Sequence, residues 1–411
     1  MRLPAKRAAL VALLAAALGL VFSAYSTYDY AEHLDRQVHA VHCSFIPGAP
    51  VSSDADNPCK AALFSPYSAI FRATYWGGVP ISLFGLGAFA FFVGFAVYIL
   101  VGDRRLSRFA YPSLVALALG PLATSILMLV ISLTHLHALC KLCVGVYVSS
   151  IVLCLAAIAG AVAHAREVRE ARAAGDLPAR ASGGWGVPVV ALFALGLCAS
   201  APALVYVNAL PDYRPLLDKC GKLTVTTDPH HGLLKIATTQ PTRAVVLFED
   251  PLCPTCKAFH DRLVEEGIFE RLDVTMAMFP LDSDCNWMLD RSLHPGACVM
   301  AKAVICGGND KARAVLEWAY DQQDALRDLG KKGAGALTAK ISERWGPELT
   351  ACVEGKQVGI QLNQQLHFAA NNHIPVSTPQ MFLGDKRLCD EDTDLGLKYT
   401  LAQLAPEVLH E

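Results

Sequence analysis

Long apolar runs dominate the first half of the chain. They lie at 8–28, 77–102, 109–136, 144–162 and 187–209, and none contains Asp, Glu, Lys or Arg. A helix needs about 20 such residues to cross the hydrocarbon of a bilayer, so the pattern predicts five membrane-spanning helices. The second half reads differently. A polar stretch at 211–240 is predicted as a linker, and from 241 onward short apolar runs alternate with amphipathic ones, as in an α/β domain. The apolar run 244–248 suits a buried strand, 257–265 an amphipathic helix, and 376–385 a strand opened by Pro379 and closed by a hairpin turn at Gly384.

Charge orients the apolar runs. Basic residues collect at Arg2, Lys6 and Arg7, at Arg104, Arg105 and Arg108, and at Arg166, Arg169, Arg172 and Arg180, all on one side of a five-span layout. The opposite loop carries Asp29, Glu32, Asp35, Asp54 and Asp56. By the positive-inside rule the amino terminus is cytoplasmic and everything after about residue 210 is outside. The first run also resembles a secretory signal. Its length and the lack of an A-x-A site after it make an uncleaved helix the expectation. A hydrophobic fraction of 53% with 18% charged residues excludes an ordinary soluble enzyme, and a net charge of −2 gives no reason to expect nucleic acid.

Fourteen cysteines fall on this frame. All except Cys154 and Cys198, which lie inside spans and read as small packing residues, fall on the non-cytoplasmic side, where disulfides persist. Cys253-Pro-Thr-Cys256 sits at a strand-to-helix junction. Amide dipoles at a helix start stabilise a thiolate, and a second thiol three residues on resolves a mixed disulfide. No second C-x-x-C at zinc-ligand spacing follows in this half, and no metal is expected. Cys285 and Cys298 read as a structural disulfide, while the pairing of Cys220, Cys306, Cys352 and Cys389 stays open. Leu247 lies six residues before Cys253 with Glu249 and Asp250 nearer, and no proton-relay carboxylate is assigned. His260 and His294 read as surface or capping residues.

The strand, CPTC, helical insert at about 282–374, Thr378-Pro379 strand and final helix resemble a thioredoxin-like domain of the DsbA/DsbC type, over about 224–411. That resemblance implies an attacking Cys253, a resolving Cys256 and a cis Pro379 beside them.

In the first half, Cys140-Lys-Leu-Cys143 opens the fourth span, with its two cysteines on one helix face. His135 and His137 beside it and Tyr75 and Trp76 read as interfacial polar and aromatic-belt residues. Cys43 and Cys59 lie in the loop between the first two spans, followed by Ser65 and by Gly78-Val-Pro80. The ordered set of loop cysteines, C-x5-S, Gly-x-Pro helix start and C-x-x-C on the fourth helix resembles the vitamin K epoxide reductase family, over about 7–164. Fifteen residues lie between Cys43 and Cys59, more than the family usually has. A longer loop costs little closure entropy.

The resemblances imply a multi-domain fold. An all-α membrane bundle, with a four-helix core at 1–165 and a cytoplasmic loop plus fifth linking helix at 166–210, is followed by the linker at 211–240. An α/β thioredoxin-like domain with a helical insertion fills 241–411. They further imply a quinone-dependent enzyme of the bacterial inner membrane that generates disulfides in secreted or periplasmic proteins. Electrons would pass from Cys253–Cys256 through the shuttle pair Cys43–Cys59 to Cys140–Cys143. From there they would reach ubiquinone or menaquinone of the membrane pool, held in part by Ser65. Disulfide isomerisation or reduction, and vitamin K epoxide reduction, are the alternatives on the same scaffold.

Overall fold

The structure, a computed structural model, describes residues 3–37, 39–46, 58–102, 106–136, 138–174 and 185–409. Arg2, Asp54, Asp56, Arg104, Arg105, His137 and Arg180, which enter the sequence reading, lie outside the described residues. The chain divides into two compact units, Met1–Pro211 and Asp212–Glu411.

The first unit is helical. Among the described residues five helices are long and apolar enough to cross a membrane: α1 (Leu3–Glu32), α3 (Ile81–Gly102), α4 (Ala110–Thr134), α5 (Lys141–Ala173) and α6 (Gly186–Ala209). A short helix α2 (Pro58–Leu63) and a two-stranded ribbon of β1 (Ala69–Ile70) and β2 (Val79–Pro80) lie between α1 and α3. The helices α1, α3, α4 and α5 pack together, and α6 lies against α3. Ala5, Ala9, Ala12 and Ala16 recur at three- and four-residue spacing on one face of α1, and all are buried. Small side chains on one face let helix backbones approach closely where the surrounding lipid offers no hydrophobic drive between helices. Gly145 on α5 serves the same end, since a Cβ there would stand 2.7 Å from the Phe22 ring of α1. Leu119, Ile126, Leu127, Val130 and Leu133 of α4 are exposed, as are Val189, Val190 and Phe193 of α6, which suits a hydrocarbon surrounding.

The second unit is an α/β domain around a five-stranded sheet of order β3-β5-β4-β6-β7. The strands are β3 (Leu234–Ile236), β4 (Arg243–Glu249), β5 (Leu272–Met278), β6 (Gln380–Leu383) and β7 (Lys386–Arg387). β4 and β5 run parallel, and the other neighbours are antiparallel. Helix α7 (Pro254–Glu265) makes the crossover between the parallel pair, as such a pair requires. Between β5 and β6 the chain builds α8 (Ala297–Cys306), α9 (Gly308–Asp321), α10 (Gln323–Gly330), α11 (Ala334–Trp345), α12 (Pro347–Val353) and α13 (Lys356–Asn371), and α14 (Leu397–Leu404) follows the sheet. Three disulfides brace this unit: Cys285–Cys298, Cys306–Cys352 and Cys220–Cys389.

Two sequence expectations differ here. Residues 211–240, read as a linker, fold into the second unit. Leu234, Lys235 and Ile236 pair with β5, Leu223 enters the core, its N–H donates to Asp385 O at 2.8 Å, and Cys220 is bonded to Cys389. A three-residue strand is too short to show alternation, and its partners are remote in the chain. Trp76, read as an interfacial-belt residue, is buried within the first unit.

Candidate redox sites

In the second unit the dithiol is set at a junction that the sequence dictates locally. Strand β4 ends at Glu249, the chain turns through Asp250-Pro251-Leu252, and Cys253 takes extended geometry as the N-cap of α7, with Pro254 opening the helix. Proline suits that place because its missing N–H is not needed in the first turn. Cys253 and Cys256 are free thiols in this structure, and both are buried. Across from them the Thr378–Pro379 bond is cis. The Thr378 carbonyl accepts from Cys253 Sγ at 3.6 Å and from Thr255 Oγ1 at 3.0 Å, tying the strand start to the active turn. Thr255 Oγ1 is also 2.9 Å from Cys253 Sγ.

The two sulfurs are electrostatically unequal. A hydrogen bond from the Cys256 thiol brings Cys253 down to about 6, with Thr255 adding to it, against the opposing effects of burial and of Asp250. Burial pushes Cys256 well up, and the neighbouring Cys253 thiolate reinforces this. Cys253 thus favours the thiolate at pH 7, ready to attack, while Cys256 holds its proton until a mixed disulfide forms.

Around this pair stand groups that sequence reading did not assign. Glu249 is fully buried, and burial raises its carboxyl; Tyr320 Oη donates to its Oε2 at 2.8 Å. Asp250, also fully buried, accepts from Leu252 N and Leu281 N, both at 2.8 Å, and meets His294 Nδ1 at 2.7 Å. Burial works to lower His294, but the Asp250 carboxylate outweighs it and leaves the imidazole raised. Gln323 Nε2 donates to the carbonyls of Pro251 and Cys253 at 3.2 and 3.1 Å. His260, expected at the surface, is instead buried with its ring 5.2 Å from that of Tyr320, because the amphipathic face of α7 carries it inward. His294 is half-buried rather than a surface cap. Glu249 and Asp250 were noticed in the sequence, but no local signal marked Tyr320 and Gln323.

In the first unit, Cys140 directly precedes α5 and Cys143 lies in its first turn, with the Cys143 N–H donating to Cys140 Sγ at 3.3 Å. Both are free, whereas Cys43 and Cys59 are joined as a disulfide. All four belong to one apolar cluster with Phe22, Val41 and Leu142. Cys59, Cys140 and Cys143 also line a cavity of about 360 Å³ between the helices, with Ser65, Asp29, His42 and Tyr147 in its wall. A volume of this order holds a small planar ring, and the walls combine apolar side chains with a few hydroxyls, as ligand sites do. Ser65 Oγ donates to Ala62 O at 2.9 Å, so its hydroxyl has to rotate to reach a ligand. The His135 ring lies 5.5 Å from that of Tyr67, tilted by 44°. Cys154 is buried in the helical core and Cys198 packs against it.

A helical membrane unit with a dithiol at a cavity wall, followed by an α/β unit with a C-x-x-C beside a cis-proline, defines a membrane thiol oxidoreductase with a thioredoxin-like second domain. Residues 10–158 match the Vitamin K epoxide reductase family, and the chain carries a domain of that family. Among solved structures, reduced DsbA1 from Neisseria meningitidis is similar over 43% of this chain and 92% of its own, at 16% identity and a TM-score of 0.31. ScsC from Proteus mirabilis in a transitional conformation is similar over 59% and 99%, at 18% identity and a TM-score of 0.26. No curated protein matches the chain.

Proposed function

We propose that this chain is a quinone-dependent oxidase that generates disulfides in secreted proteins from a bacterial inner membrane. In this reading the amino terminus is cytoplasmic and the second domain extracytoplasmic. The observation that carries the reading is the grouping of the Cys43–Cys59 disulfide and the Cys140–Cys143 dithiol in one apolar cluster, with Cys59, Cys140 and Cys143 at the wall of one cavity.

The route begins when a client dithiol meets an oxidised Cys253–Cys256. A client thiolate attacks Cys253 Sγ, the Cys253–Cys256 bond breaks, and the second client thiolate then displaces Cys253, leaving an oxidised client and a reduced pair. The reduced pair repeats this exchange on Cys43–Cys59, which in turn oxidises nothing further until Cys140–Cys143 takes its electrons. Each exchange moves two electrons and conserves sulfur bonds. A bound quinone, ubiquinone or menaquinone, supplies the final two-electron, two-proton acceptor. Ser65 and the apolar walls would hold its ring against Cys140 and Cys143. Keeping both dithiols in one chain raises the effective concentration of donor at acceptor.

The test is reduction of a quinone by the purified full-length protein in detergent, driven by a reduced dithiol peptide. Turnover lost in both Cys140→Ala and Cys253→Ala is the expected result. A wild-type protein that consumes the peptide's thiols without reducing quinone contradicts the reading.

A further inference from the structure

The cavity wall carries a hydrogen-bonded Asp–His pair that the cysteine route leaves unused. Asp29, near the end of α1, is 1% exposed, and its two carboxylate oxygens are both spent on one residue. Oδ2 accepts from His42 N at 2.8 Å and Oδ1 meets His42 Nδ1 at 2.5 Å. The His42 ring packs 4.8 Å from that of Tyr25 and edge-on to Tyr28. With Nδ1 held by a carboxylate, the ring presents Nε2 as its free nitrogen, and no described residue bonds to it. A buried carboxylate fixing one nitrogen of an imidazole, and so its orientation, leaves the other nitrogen to exchange protons. Both residues line the same cavity as Cys140 and Cys143, and His42 directly precedes the shuttle cysteine Cys43.

We propose that His42 is the proton carrier of the membrane site and that Asp29 is its positioning residue. The proposal rests on the quinone reading above. Closing Cys140 and Cys143 to a disulfide breaks two S–H bonds, forms one S–S bond and releases two electrons and two protons. Both electrons pass to the quinone class of acceptor, giving hydroquinone. His42 Nε2 takes one proton from the dithiol and hands it to an acceptor oxygen in the cavity, and the second is exchanged with solvent. Asp29 fixes the ring and stabilises the imidazolium between the two transfers. Other titratable groups face this pair. On α1 they are Tyr25 and Tyr28, with Glu32 adding negative charge near Asp29 and His33 Nδ1 lying 2.8 Å from the Asp29 carbonyl. Around the cavity they are Tyr30, Tyr67, Cys140, Cys143 and Tyr147. Only His42 among them has a ring nitrogen fixed by a buried carboxylate.

The experiment uses the full-length protein in detergent and has two arms. In the first, the reduced protein is alkylated without quinone between pH 5 and 9, and the rate at Cys140 and Cys143 is read by peptide mass spectrometry. A charged imidazolium in the cavity that the dithiol lines favours the thiolate, so the wild-type profile should show a step in the imidazole range in addition to that of the thiol. That step should disappear in His42→Gln and Asp29→Asn. In the second arm, quinone reduction by His42→Gln should fall about 100-fold in kcat, the lower end for loss of a general acid–base, with KM within about twofold. A wild-type alkylation profile with no step in the imidazole range overturns the proposal without any variant. So does a His42→Gln protein, with the Cys43–Cys59 disulfide intact, whose profile and kcat match wild type. A wild type that reduces no quinone yet shows the His42-dependent step refutes the function proposed above while leaving His42 as the dithiol's proton partner.

Discussion

The two C-x-x-C motifs share a spacing and a place at a helix start, yet their surroundings differ in kind. Cys253–Cys256 is held by a sheet end, a cis-proline strand and buried polar side chains from three separate segments: Glu249 and Asp250, His294, and Tyr320 with Gln323. Cys140–Cys143 is held by helix packing, an apolar cluster and a cavity. The first setting holds Cys253 as a stabilised thiolate among buried polar groups. The second encloses a dithiol against a space that suits an apolar acceptor. The motif alone therefore says that there is thiol chemistry, and the environment says with what partner.

The largest effect that would sharpen this contrast is a bypass. If the two pairs act in series, a small dithiol such as dithiothreitol should reach the membrane pair directly. Quinone reduction by Cys253→Ala would then be restored to within about tenfold of wild type when dithiothreitol replaces a peptide donor. Cys140→Ala should stay at background with either donor, a loss on the order of 1000-fold or more, because the lone Cys143 cannot close a disulfide to pass two electrons on. Equal loss in both variants with dithiothreitol would break the series arrangement.

How legible each region was follows the same division. The five apolar runs became five helices because a membrane span is encoded by consecutive residues, and α5 overshoots its apolar run into Arg166 and Arg169 without changing the reading. CPTC, CKLC and the Thr378-Pro379 strand are likewise local signals. What the sequence left obscure arises from long separation. Cys220 meets Cys389 across 169 positions, Tyr320 reaches Glu249 across 71, and Asp29 finds His42 across a helix end and a turn. His260 was misplaced because a histidine on an amphipathic helix carries no mark of which face it occupies. The attachment of 212–240 to the second domain has the same origin, since its anchors are a three-residue strand and a remote cysteine.

The next effect concerns that anchor. A crosslink closing a loop this long restrains the unfolded chain strongly, and its removal typically costs about 2–5 kcal/mol. Replacing Cys220 and Cys389 together with serine should expose the segment that carries Leu223 and strand β7. Hydrogen exchange at the Leu223 and Arg387 amides, which donate to Asp385 O and Gly221 O, is the measurement, made on the full chain. Acceleration by a factor of 30 or more is expected there, with protection in α1, α3 and α5 unchanged. Loss of protection spreading into the membrane helices would break the picture of two independently braced units.

The smallest effect tests the electrostatic half of the contrast. Cys253 sits at about 6 in the reduced protein, below the ordinary thiol value. A depressed thiol pKa means that the folded reduced state favours the thiolate. The stabilisation it gives is fully present above the unfolded-state value and is lost as pH falls through about 6. Alkylation of Cys253 should therefore be flat above about pH 7, half-maximal near 6 and about tenfold slower near pH 5. Cys256, pushed up by burial, should not contribute in that range. Thr255→Val should move the midpoint upward, since it removes one hydroxyl that stabilises the thiolate, while the Cys256 hydrogen bond remains the larger influence. Repeating the titration in Cys253→Ala, with Cys140 and Cys143 read by peptide mass spectrometry, reports the membrane pair. If that trace reproduced the loss at pH 5 seen with Cys253, the two sites would share one electrostatic design, and the contrast between a stabilised thiolate among polar groups and an enclosed membrane dithiol would fail.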